Sequence, residues 1–131
     1  MPKKDQSFHD YVMSDLFADM PDVRSRAMFG GWGIYKNALM FAIIVDGELY
    51  FKVDGRNRAQ FEEAGSHPFV FHKPSGGAIT MSYWLAPEAA FDNSQLLLET
   101  VESAVAAALR SKEKTVTSRA PKKTKMTRKK V

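Results

Sequence analysis

The sequence predicts an α+β fold: an antiparallel sheet of about five to six strands with helices packed on it, in α-β-α-β-α order. Three observations lead there. Met28 to Val53 reads as short β-favouring runs joined by tight turns. A second pair of such runs flanks Pro74-Ser75-Gly76-Gly77. Stretches with apolar residues at helical spacing stand before, between and after these strands. At 131 residues, 44% hydrophobic and 26% charged, the chain has room for one core and so one domain.

Ser7 is placed to cap a helix over Phe8 to Met20, with Asp10 in the capping-acid position. Phe8, Val12 and Leu16, widened by Tyr11, form its apolar stripe, and Pro21 ends it. Val23 to Phe29 then runs extended into Gly30-Gly31, where the backbone can turn or bulge before Trp32.

Asp46-Gly47 between apolar runs is a strong short-range hairpin signal. As a two-residue loop it places Val45 opposite Glu48, Ile44 opposite Leu49 and Phe41 opposite Lys52. Alternation then puts Met40, Ala42 and Ile44 beside Leu49, Phe51 and Val53 on one apolar face, the expected core. Phe41, Ile43 and Val45 lie beside Glu48, Tyr50 and Lys52 on the other. Asn37-Ala38 reads as a second two-residue loop, pairing Lys36 with Leu39 and Tyr35 with Met40, although alanine suits the required positive φ poorly. That register adds Trp32 and Ile34 to Phe41 and Ile43. The second surface is then too apolar to stay wet. A helix of this chain must cover it, or a protein partner or second copy docking on Trp32, Ile34, Phe41 and Ile43.

Asp54 is a natural N-cap for a short helix from about Arg56 to Ala64, with Gly65 as its left-handed stop. Phe69 to His72 and Ala78 to Trp84 are the next strands. Pro87 to Phe91 reads as one helical turn. Asp92 is then expected to cap a last helix, Ser94 to about Lys112, whose broad apolar face carries Leu96, Leu97, Val101, Val105, Ala108 and Leu109.

The folded domain is thus expected over residues 1–112, with residues 113–131 a disordered basic tail that lacks any apolar period. The net charge of +4 hides a split. Residues 1–110 carry 10 Lys+Arg against 14 Asp+Glu, a net of −4, while residues 111–131 carry nine against one, a net of +8. Any attraction to nucleic acid falls to the tail, where Lys122, Lys123, Lys125, Arg128, Lys129 and Lys130 are the candidate contacts.

Catalytic and cofactor signals are missing from the sequence. It has no cysteine, so no disulfide frame or thiolate chemistry is expected. His9, His67 and His72 have no second ligand at metal spacing. Glu62-Glu63 are adjacent on a helix and cannot flank a bond. Gly30-Gly31-Trp32-Gly33 lacks the Lys-Ser/Thr of a phosphate loop, and Ser82 has no nucleophile elbow. The longest apolar run, Leu39 to Val45, is far too short to cross a bilayer, and no apolar segment follows the lysines near Met1. The expected address is the cytoplasm, with no cofactor, no metal and no membrane.

The segments MFGGWGIY, MFAIIVDGELYFKVD, EEAGSHPF and MSYWLAP, in that order, resemble the N-terminal domain of the Sxy/TfoX family of bacterial competence regulators. The likeness runs from about Arg24 to about Arg110. The family commonly has Asp-Gly where this chain has Asn37-Ala38. The resemblance implies an α-β-α-β-α fold like that of secretion chaperones. It also implies a non-enzymatic regulatory or adaptor role, transcription-linked and exercised through protein contacts. Full-length members add a second helical domain, in whose place this sequence has the basic tail.

Arg26, Lys52 and Tyr83 fall inside the resembling segments and form the candidate binding patch. A lysine amid apolar neighbours can bury its stem and offer its head to a carboxylate or phosphate. A head that reaches solvent at the sheet edge, or pairs with Glu48, is the simpler account of Lys52. A nucleic-acid-associated protein, binding DNA or RNA non-specifically through its tail, is the alternative function. An enzyme or small-ligand binder using the Arg26/Lys52/Tyr83 area is a third.

Overall fold

A computed structural model of the chain describes residues 6–28 and 30–122, with side chains to residue 113. Six strands form one antiparallel sheet, β1 (Val23–Met28), β2 (Gly31–Lys36), β3 (Leu39–Val45), β4 (Glu48–Lys52), β5 (Pro68–His72) and β6 (Ala78–Leu85). Their spatial order is β1-β2-β3-β4-β6-β5. The helices are α1 (Gln6–Tyr11), which continues as a π-helical turn over Val12–Leu16, then α2 (Arg58–Glu63) and α3 (Ser94–Lys122). A short 3-10 turn, Glu88–Phe91, precedes α3. This is the expected α+β architecture, an open sheet with helices on it.

Both hairpin turns form as the sequence indicates. Asp46 and Gly47 have φ of 53° and 75°, and Asn37 and Ala38 have 51° and 70°, so each pair makes a type I′ turn. Val45 pairs with Glu48, Ile44 with Leu49, Lys36 with Leu39 and Tyr35 with Met40. Both registers hold next to their turns, but Phe41, expected opposite Lys52, has no such partner.

The assignment of faces needs one correction. Between β2 and β3 the ladder passes from Tyr35–Met40 to Ile34–Ala42, leaving Phe41 as the extra residue of a β-bulge. The bulge shifts the alternation by one, so Phe41 turns inward and Met40 outward. Trp32 and Ile34 now share the face of Ile44 and Ala42, their ladder partners. Trp32, Ile34 and Phe41 are all buried within the chain and belong to its core, so they offer no docking surface with Ile43. Of the two covers considered for them, a helix of this chain is the one present. Phe17, after the π turn, packs on Phe41 with ring centroids 6.0 Å apart, and His9 stacks on Trp32 at 4.5 Å.

The core lies between this face and the helices. Phe41, Phe51 and Phe61 form a chain of ring contacts linking β3, β4 and α2. From α3 come Leu97, Val101, Ala104 and Ala108, small enough toward the far end to let the helix lie close on the sheet. Gly31 lies directly under the Ile44 carbonyl oxygen, a position that any Cβ would occupy.

Several boundaries differ from expectation. Gln6 and Ser7 are already helical, so Ser7 sits inside α1. Asn93, one residue after Asp92, caps α3: its Oδ1 accepts from the Leu96 amide at 3.0 Å. Asp54 accepts from the Arg56 amide and so orders the turn entering α2, while Gly65, at φ 78°, ends that helix as expected. The α3 backbone runs to Lys122, ten residues past the expected end near Lys112 and into the segment read as tail. Lys123, Lys125, Arg128, Lys129 and Lys130 lie outside the described residues, and Lys122 is the last of α3.

Candidate functional site

The three residues singled out in the sequence all fall on strands, and register places them on the sheet face away from the helices. Arg26 is opposite Gly33, which is opposite Ile43, which is opposite Tyr50. Lys52 is opposite Tyr83 because β4 pairs with β6 rather than with its sequence neighbour β5. Lys52 and Tyr83 therefore meet. The Lys52 Nζ stands 5.1 Å from the Tyr83 ring centroid and donates to Ser82 Oγ at 2.7 Å. Arg26 is three strands from β4, about 14 Å at the usual strand spacing, and stands apart from that pair.

Burial shapes this pair chemically. Partial burial lowers the Lys52 pKa, with Asp54 opposing the shift. Burial, assisted by Tyr35 nearby, pushes the Tyr83 phenol up to about 12. Tyr83 is therefore a neutral hydrogen-bond donor, and its hydroxyl points to the Met40 carbonyl oxygen at 3.4 Å, a long contact. Burial also raises Tyr50, with Glu48 and Asp46 adding to the effect. A cation with hydroxyl neighbours can receive an anionic group.

Gly33, Met28, Met40 and Phe69 complete this surface beside Ile43 and Tyr50. A Cβ on Gly33 would come within 2.7 Å of Met40 Sδ and 2.9 Å of Met28 Cε, so the missing side chain makes a slot filled by two methionines. Tyr50 stacks at a tilt on Phe69, centroids 5.1 Å apart, extending the apolar floor toward β5. The signal was a glycine inside a strand pattern, which marks close approach.

Elsewhere, a cleft of about 640 Å³ opens at the Asp46-Gly47 end of the sheet, between Phe8, Leu49, Leu85 and Phe91. Its charged lining residues are Asp46, Glu48 and Glu88, and its Ser66 hydroxyl already donates to the Leu85 carbonyl oxygen at 2.6 Å. His9 is engaged by Ser25 and Asp10, and His67 by the Pro68 carbonyl. Among the described residues no group of three or more His, Asp or Glu could hold a metal ion, and no helix is long and apolar enough to cross a membrane.

The sequence model of the TfoX N-terminal domain matches residues 15–108, spanning every strand, α2 and the first half of α3. The chain belongs to the TfoX N-terminal domain family. Two relatives fit this assignment. The DNA transformation protein TfoX1 of Aliivibrio fischeri (strain ATCC 700601 / ES114) is 34% identical over 80 residues, covering 61% of this chain and 38% of that protein. Protein Sxy of Escherichia coli (strain K12) is 27% identical over 104 residues, covering 78% of this chain and 48% of that protein. The chain thus spans less than half the length of these curated relatives. The matched region contains Arg26, Lys52 and Tyr83 and stops before the basic segment.

Proposed function

We propose that this chain is a non-enzymatic regulatory or adaptor domain of the competence-regulator type. It would act in the cytoplasm on transcription-linked regulation, through protein contacts. The observation that carries this reading is the family match over residues 15–108, with relatives one of which is named for DNA transformation. The helices all packing on one side of the sheet add to it, because a surface of mixed apolar and basic residues is left for contacts. The test is transcript profiling in the source bacterium with the gene deleted and restored. A defined set of transcripts should fall on deletion and recover with the wild-type chain. Unchanged transcripts under conditions where the gene is expressed would refute the reading.

The split of charge supports a second reading, non-specific binding of DNA or RNA through the basic segment. If all nine cations of residues 111–131 met phosphates, the log–log salt slope would approach about −8. Gel shifts with duplex DNA, using the full chain and a chain ending at residue 112, decide it. Loss of binding on truncation supports this reading, and binding that survives places any nucleic-acid site on the acidic folded domain.

A further inference from the structure

The uncovered face of the sheet differs in charge from the domain that carries it. Within the six strands the ionised residues are Arg24, Arg26, Lys36 and Lys52 against a single acid, Glu48. Lys36 shares the ladder position of Val23, on the helix side. Arg24, Arg26 and Lys52 point away from the helices, three cations against the one acid Glu48 at the Asp46-Gly47 end of the same face, on a domain whose residues 1–110 sum to −4. None of the three has a described carboxylate within ion-pair distance. Between them lies an apolar floor of Met28, Met40 and Ile43, none of which belongs to the core cluster, with Tyr50 and Tyr83 largely buried beneath Phe69 and Lys52.

The geometry points to this face as a docking site for an acidic, apolar-rich segment of a partner protein; this rests on the protein-contact reading above. Each side of the inference has its own warrant. Unpaired cations around an apolar floor complement carboxylates flanking Leu, Phe or Trp side chains. Thioethers over Gly33 can rearrange around differing apolar groups, as methionines do at adaptable surfaces. A second copy docked face to face would bring Arg24, Arg26 and Lys52 into an interface with their own counterparts, a like-charge arrangement that costs affinity. Single-stranded nucleic acid needs open ring faces for stacking, whereas Tyr50 and Tyr83 are each only 8% exposed.

The test uses the full chain with ¹³C-labelled methionine methyls, assigned by single Met→Leu variants. The probes are short synthetic peptides alternating Asp or Glu with Leu, Phe or Trp, the same peptides with Lys for the acids, and an oligothymidylate. The acidic peptides should shift the Met28 and Met40 methyls and leave those of Met13 and Met20 in place. The Lys peptides should bind about tenfold more weakly or worse. R24E/R26E, at two exposed positions of an edge strand, should weaken the acidic peptides by about tenfold with an unchanged melting curve. Four results overturn the inference: no binding of the acidic peptides, shifts confined to other methyls, equal binding of oligothymidylate at this face, or peptide-free shifts of Met28 and Met40 that track self-association. The two readings fail separately. Peptide binding without any transcript response removes the regulatory role and keeps the face. A transcript response restored equally by R24E/R26E, with no peptide binding, does the reverse.

Discussion

The ion pair between Asp54 and Arg110 makes the most quantitative prediction. Arg110 Nε and Nη2 donate to the two Asp54 oxygens at 2.6 and 2.9 Å, a fork that ties the end of β4 to α3 across 56 residues of sequence. This guanidinium holds the Asp54 carboxyl down at about 2, against an ordinary value of 3.8, with the Arg56 amide helping. At about 1.36 kcal/mol per pKa unit the shift corresponds to roughly 2.4 kcal/mol. The two side chains are 26% and 31% exposed, and that solvent access trims the figure to about 1–2 kcal/mol. The sign follows from a depressed folded pKa: the stabilisation is complete above the unfolded value near 4 and disappears as pH falls through about 2. Asp54→Asn keeps the shape and an acceptor for the Arg56 amide but removes the charge. Urea melts of wild type and variant from pH 7 downward should differ by about 1–2 kcal/mol above pH 5, and the gap should shrink between about pH 4 and pH 2. A gap that stays constant through that window, or widens, would show that the pair is not what Asp54 contributes.

Other substitutions probe other parts of the fold. Phe41→Ala and Phe51→Ala should each cost about 3–5 kcal/mol in denaturant melts, because both rings are fully buried, while Lys52→Ala should cost far less; a cheap Phe41→Ala would remove the bulge from the account. Ala38→Gly relieves a positive φ in a type I′ turn and should stabilise by about 0.5–1 kcal/mol, read as a rise of a few degrees in Tm. Asn57→Ala should cost about 1–3 kcal/mol, because the buried amide receives the Asp54 N–H and donates to the Lys52 carbonyl and to Ser103. In a Trp84→Phe background, His9→Ala should make Trp32 fluorescence more accessible to iodide, because the imidazole stacks on that ring; unchanged quenching would mean that His9 does not shield it.

What could be read in advance was what local chemistry specifies. Asp46-Gly47 fixes a turn, the turn fixes a register, and both hold. Gly65 and the proline-glycine turn before β6 likewise announce themselves. The bulge at Phe41 was invisible because alternation assumes an unbroken ladder, and nothing in Leu-Met-Phe-Ala marks where one residue is skipped. Its effect was not local: it exchanged Met40 for Phe41 in the core and moved Trp32 and Ile34 to the same side. Arg26, Lys52 and Tyr83 stood out through family likeness, yet the contact between Lys52 and Tyr83 depends on β6 inserting beside β4, a choice of long-range topology. The Asn57 and Asp54 contacts to α3 span 46 and 56 residues, beyond any local pattern.

The bulge also explains how the described residues can leave one sheet face uncovered. With strict alternation, Trp32, Ile34, Phe41 and Ile43 would all face outward, a surface that demands a permanent partner. The skipped residue turns three of these four groups into the core and leaves Ile43 among methionines and tyrosines. Tyrosine carries a hydroxyl for water or backbone at its rim, and Met40 and Met28 fold over Gly33 rather than standing proud. Lys52 covers part of the Tyr83 ring with its own stem and head. The resulting face is apolar enough to gain from being covered, and polar enough at its edges to remain in water without cover. Such a balance suits a surface that is occupied at some times and bare at others.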